Sequence, residues 1–101
     1  MKLEMLDNLL PIGSVVKLVN GQMPIMIFGI CQTEAASGIE YDYSAVVWPA
    51  GHLGGSEQYL FNHADIDKIL FRGADGPDRD AFLNALKEYF AVKTEADTTK
   101  N

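Results

Sequence analysis

The residues suited to chemistry are few. His52 and His63 are the only histidines and Cys31 the only cysteine. A zinc centre would draw on His52, Glu57, His63 and Asp65, which lie in loop-like sequence without compact ligand spacing. Exposure to solvent or turn capping is the simpler role for both imidazoles. His63, within Asn62-His63-Ala64-Asp65, suits a local backbone cap. Cys31 could act as a nucleophile with His63 as base, given a depressed thiol pKa and access. A cysteine following Ile27-Phe28-Gly29-Ile30 is more often an inert core residue. Ser14 and Ser44 have no activating neighbour in the chain. Asp42, Asp65 and Asp67 could pair as acid and base, but carboxylates along strands and turns are mostly solvated. The Gly-rich stretch from Ala50 to Gln58 lacks the Lys-Ser or Lys-Thr and the helix start of a phosphate loop. The expectation is therefore no catalytic, cofactor or metal site, and no enzyme activity.

A second chemistry is recognition. Tyr41, Tyr43, Trp48 and Tyr59 combine an apolar body with a polar tip, a type common both in interfaces and in small cores. Tyr41 and Tyr43 are the first of these to expect on a partner-facing surface. With Trp48, and with Phe61, His63, Asp65 and Asp67 around the adjoining turn, they make up the expected partner-binding set.

The elements that must position these residues begin with the stretch from Gly13 to Cys31. It reads as two strands around Asn20-Gly21, a pair that tolerates the positive φ angles of a type I′ turn. Val15, Val16, Leu18 and Val19 suit the first strand. Ile25, Met26, Ile27, Phe28 and Ile30 make the second, apolar on both alternating faces and so expected to be central and covered on both sides. Gly29 suggests a bulge or bend in it. Leu3, Leu6 and Leu10 predict a short helix over residues 1–10, stopped by Pro11. Glu40 to Pro49 reads as a third strand and Tyr59 to Phe61 as a short one. Asn62 to Asp65 reads as a turn or a single helical turn. Ile66 to Arg72 reads as a strand in preference to a helix over Ala64 to Phe71. Asp75-Gly76-Pro77-Asp78 starts a helix that runs to about Val92. Its apolar face is Phe82, Ala85, Leu86, Tyr89 and Phe90. The expected fold is α+β: a small, strongly bent antiparallel sheet or SH3-like barrel of roughly four or five strands, packed by the C-terminal helix. One domain over residues 1–92 and a flexible tail over 93–101 complete it.

The chain has 101 residues, is 48% hydrophobic and carries a net charge of −6. That supports one cored domain and argues against binding nucleic acid or anionic membranes, both of which call for a basic face. A lone cysteine rules out an intramolecular disulfide and fits the cytoplasm. No targeting segment is apparent, and the apolar run from Met23 to Cys31 is too short to span a bilayer.

Four segments carry a resemblance: L-L-P-I-G-S-V-V-K-L (Leu9 to Leu18), I-M-I-F-G-I (Ile25 to Ile30), Y-D-Y-S-A-V-V-W-P-A-G (Tyr41 to Gly51) and F-N-H-A-D-I-D-K-I-L-F-R-G (Phe61 to Gly73). In this order they resemble the bacterial family called domain of unknown function 4176. That family is similar to small, EsaE-like accessory proteins of type VII secretion in Gram-positive bacteria. The resemblance implies a cytoplasmic chaperone or targeting factor. It would bind a secreted toxin, or the toxin's helical partner, without cofactor or catalysis. An immunity protein that neutralises a cognate toxin is the alternative. A small enzyme or metal-binding domain is a second one. Oligomeric state is left open.

Overall fold

The computed structural model describes residues 3–55 and 57–99. The expected N-terminal helix and C-terminal tail each extend beyond those residues. The chain divides into two compact units, one holding the terminal helices and the other spanning Leu9–Ala74.

The larger unit is a five-stranded antiparallel sheet in the order β4-β3-β2-β1-β5. The strands are β1 (Val15–Leu18), β2 (Ile25–Thr33), β3 (Glu40–Val47), β4 (Tyr59–Phe61) and β5 (Ile66–Phe71). A single turn of 3-10 helix, η2 (His63–Asp65), precedes β5. The α+β class and the strand over Ile66–Phe71 match the sequence. Of the two forms expected, the structure takes the antiparallel sheet, open and ending at β4 and β5, and not the barrel.

One face of the sheet is the core. Directly opposed residues share a face, and Val16↔Ile25, Ile27↔Ala45 and Tyr43↔Phe61 are opposed. All six are buried, with Val16, Ile27, Tyr43 and Ala45 at 0% exposure. Leu9, Leu10 and Pro11 are buried too, and the Leu10 N–H donates to the Tyr43 hydroxyl at 2.9 Å.

The other face is only half closed. β2 is central, as expected, but Met26 is half-buried and Phe28 is exposed. The expectation of cover on both sides fails because apolar alternation shows which side chains could be buried, not whether anything lies over them. The β2–β3 register slips between Ile27 and Gly29, so the predicted bulge is present. A Cβ on Gly29 would collide with the Ser44 hydroxyl oxygen. Ser44 is fully buried, and its hydroxyl finds no hydrogen-bond partner among the described residues. Since an unsatisfied buried hydroxyl only costs free energy, Ser44→Ala is expected to be neutral or stabilising by up to about 1 kcal/mol. Urea denaturation reads this directly, and a loss of stability would show that the hydroxyl has a partner after all.

The Asn20-Gly21 hairpin is also corrected. β1 ends at Leu18 and β2 starts at Ile25, so the connection is longer than two residues. The Gly21 N–H donates to the Leu18 carbonyl at 2.8 Å. That makes Asn20, at φ 63°, the third residue of a turn over Leu18–Gly21. Asparagine tolerates this left-handed position, which is why the pair marked a turn but misplaced it.

The other unit contains η1, a 3-10 helix over Leu3–Asn8, and α1 (Pro77–Thr99). Lys87 Nζ lies 2.7 Å from Asp7 Oδ1, joining the two. The helix continues past the expected end near Val92, since nothing between Lys93 and Thr99 is a helix breaker. Its buried face is displaced from the expected one. Leu83 is buried and Leu86 and Phe90 are half-buried, while Phe82 and Tyr89 are exposed.

Candidate functional site

The segment from Tyr41 to Asp67 was expected to gather the partner-binding residues. Most of its polar groups hold the segment itself. The His63 N–H donates to Asp42 Oδ2 at 2.9 Å, and the Asp42 N–H donates to Asn62 Oδ1 at 3.0 Å. The Asn62 N–H donates to Asp65 Oδ2 at 2.9 Å, and the Asp65 N–H returns to the Asn62 carbonyl. His63 Nδ1 sits 2.7 Å from the Tyr43 hydroxyl. A hydroxyl that accepts from Leu10 can donate its own proton to the Nδ1 of a neutral imidazole. The result ties the start of β3 to η2, immediately before β5.

Tyr43 and Phe61 are therefore corrections. They are 0% and 3% exposed, with ring centroids 5.2 Å apart, and a partner could reach them only by unfolding the sheet. Asn62 and Asp65 supply the caps of the turn, whereas the His63 ring bonds the distant Tyr43 hydroxyl and caps no local backbone group, which corrects the capping expectation for His63. Tyr41 is half-buried opposite Gln32. Trp48 and Asp67 are exposed and are available for recognition.

The groups considered for catalysis are dispersed. Cys31 sits at φ 55°, and burial, followed by the negative charge of Asp42, pushes its thiol pKa up. That direction keeps the thiol protonated and works against a nucleophile. His52 and Glu57 lie instead on the wall of a cleft of about 570 Å³ whose floor is Met26, Phe28 and Val46. Among the described residues, no group of three His, Cys, Asp or Glu side chains is placed to hold a metal ion. No helix among them is long and apolar enough to cross a membrane.

What the sequence reading missed is the outer edge of the sheet. β5 pairs with β1 alone, and Ile69, Leu70 and Phe71 are 53%, 49% and 61% exposed. Three consecutive large apolar residues exposed on an edge strand are unusual, and they flank that edge on both sides, with Ile69 opposite Val16 on the core face and Phe71 opposite Val15 on the other. The signal was present as the run Ile69-Leu70-Phe71, but such a run reads alike for an edge and a central strand. The register against β1 slips twice, between Val15 and Val16 and between Lys17 and Leu18. These bulges interrupt the ladder, so β5 presents side chains better than it presents a strand for further pairing.

A family model described as a domain of unknown function, DUF4176, matches residues 9–81. No curated protein and no solved structure matches the chain. The matched span begins at Leu9, where the sheet unit begins, and includes every strand.

Proposed function

The chain belongs to the DUF4176 family, and on that premise we propose that it is a non-catalytic accessory protein of type VII secretion. It binds a secreted toxin, or that toxin's helical partner, in the cytoplasm and targets it for export. The observation that carries this reading is the exposed apolar edge formed by Ile69, Leu70 and Phe71. Solvating three such side chains is unfavourable, and a partner that covers them gains their burial. Because the edge is bulged, the partner is held through side chains rather than as an added strand. The net charge of −6 favours a basic partner and speeds its encounter.

The test is co-purification with the toxin encoded beside the gene. A complex at micromolar concentration is expected, and none forming would sink the proposal. The double variant Ile69→Ser, Phe71→Ser removes apolar surface that the fold leaves in water. It is expected to weaken the complex by roughly thirtyfold or more while leaving thermal stability nearly unchanged. Equal affinity in the variant would move the binding surface away from β5.

The same acidity suits a second reading, an immunity protein that meets the basic substrate site of a nuclease toxin. Deleting the gene separates the two. Secretion stops if the protein is a targeting factor, whereas the producer dies if it is an immunity protein.

A further inference from the structure

We propose that the cleft beside β2 and β3 is a second recognition site, one that takes an arginine and a neighbouring apolar side chain of a basic partner segment. Its floor is apolar. Met26 and Val46 oppose one another across the β2–β3 ladder, on the face turned away from Ile27 and Ala45. Phe28, 46% exposed, adjoins them. Its wall is polar: His52, Glu57 and Gln58, carried by the Gly-rich connection from β3 to β4. At one end of that connection the Gly51 N–H donates to the Val47 carbonyl at 2.7 Å, and at the other β4 begins with Tyr59, so the wall is anchored on the sheet. The volume, about 570 Å³, is that of a ligand pocket and more than a lone side chain fills.

Charge decides the occupant. From residue 18 to residue 67 the chain holds no lysine or arginine, yet it holds Glu34, Glu40, Asp42, Glu57, Asp65 and Asp67. Every residue that lines the cleft falls inside that stretch. Asp42 and Asp65 are engaged in the η2 turn, and Glu34 accepts from the Ser37 hydroxyl. The Glu57 carboxylate, on the wall, has neither a hydrogen bond nor an ion pair among the described residues. An anion, whether a phosphate or a fatty acid, would meet that carboxylate and no countercharge. A neutral apolar ligand would cover the floor but strip water from Glu57 with nothing in return. An arginine beside an apolar residue answers both. Its planar guanidinium pairs with a carboxylate through two parallel hydrogen bonds, is more weakly hydrated than an ammonium and stacks on aromatic rings such as that of Phe28. The apolar neighbour then covers Met26 and Val46. The site rests on the reading of this chain as a protein-binding module and adds the place where the basic part of a partner sits.

Titration of the full chain with the blocked dipeptide acetyl-Leu-Arg-amide, followed by NMR, tests the cleft. Binding with a Kd of about 1 mM is expected, with the largest shifts at Met26, Phe28, Gly55 and Glu57. Replacing the arginine by its neutral isostere citrulline, or the leucine by glycine, should each weaken binding by roughly tenfold. Glu57→Gln should weaken the arginine dipeptide by a similar factor and leave Tm unchanged, because that side chain is exposed and unpaired. No saturable binding at about 10 mM, a citrulline dipeptide or octanoate that binds as tightly, an unaffected Glu57→Gln variant, or shifts on β5 in place of the cleft would each overturn the site. No residue of β5 lines the cleft, so the two proposals fail separately. A dipeptide that does not bind beside an intact toxin complex removes the cleft and leaves the proposed function. A toxin complex that never forms while the dipeptide binds as expected removes the toxin as partner and leaves the cleft as a site for a different basic segment.

Discussion

Gly73→Ala is expected to destabilise the fold by about 3 kcal/mol, near the upper end for forcing extra volume into a packed site. For a domain of this size that lowers Tm by roughly 12–24 °C. The reason is a backbone crossing. A Cβ on Gly73 would collide with the Ile12 carbonyl oxygen and lie 3.0 Å from both the Ile12 carbonyl carbon and the Ser14 nitrogen. Backbone atoms cannot swing aside as a side chain can, and these are anchored. The Gly13 N–H donates to the Ile27 carbonyl and the Ile27 N–H to the Ser14 carbonyl, both at 2.8 Å. The buried Ser14 hydroxyl donates to the Pro11 carbonyl at 2.7 Å and accepts from the Gly73 N–H at 2.9 Å. Any retreat of Gly73 breaks that last bond as well. Gly29→Ala is the comparison, because its Cβ meets the Ser44 hydroxyl and the Gln32 amide, side-chain atoms and not backbone. Thermal denaturation of both variants decides the matter. A Gly73→Ala protein as stable as Gly29→Ala would mean that the crossing is looser than described.

That crossing also explains why parts of the fold were legible in the sequence. Pro11-Ile12-Gly13-Ser14 and Phe71-Arg72-Gly73 each look like punctuation around strands, and each carries part of the family resemblance. In the structure they bind one another, 59 positions apart. Strand identities were readable because β-branched runs bounded by Gly, Pro and Asn differ sharply from helical periodicity. Burial was less readable. The second strand and the strand over Ile66–Phe71 each contain a continuous apolar run, Ile25 to Phe28 and Ile69 to Phe71, yet Ile27 is fully buried and Phe71 is 61% exposed. Their difference is position in the sheet, a property of nonlocal pairing that no local pattern contains. The same limit misdirected the candidate site. Tyr41 and Tyr43 look equivalent in Tyr41-Asp42-Tyr43, and only the approach of Leu10 and His63 makes the second a core residue.

Tyr43 provides the sharpest separation of scaffold from surface. Tyr43→Ala removes a fully buried ring packed on Phe61 and should cost about 4 kcal/mol. Tyr43→Phe keeps the ring and deletes one oxygen. The Leu10 N–H, in a residue only 2% exposed, then loses its acceptor, and His63 Nδ1 loses its partner. Leaving buried polar groups unpaired costs roughly 1–3 kcal/mol, so the phenylalanine variant should fall between wild type and alanine. Hydrogen exchange gives an independent reading, because the Leu10 amide should exchange faster in Tyr43→Phe than other core amides do after correction for global stability. A Tyr43→Phe protein with wild-type stability and unchanged Leu10 exchange would remove the hydroxyl from the structural account. Partner affinity should behave in the opposite way. At a temperature where Tyr43→Phe is fully folded, its complex with the toxin should match wild type, because the hydroxyl faces the core. The β5 double variant should keep its stability and lose the complex. Opposite responses of the two variants in the same two measurements would assign Tyr43 to the scaffold and the Ile69–Phe71 edge to recognition.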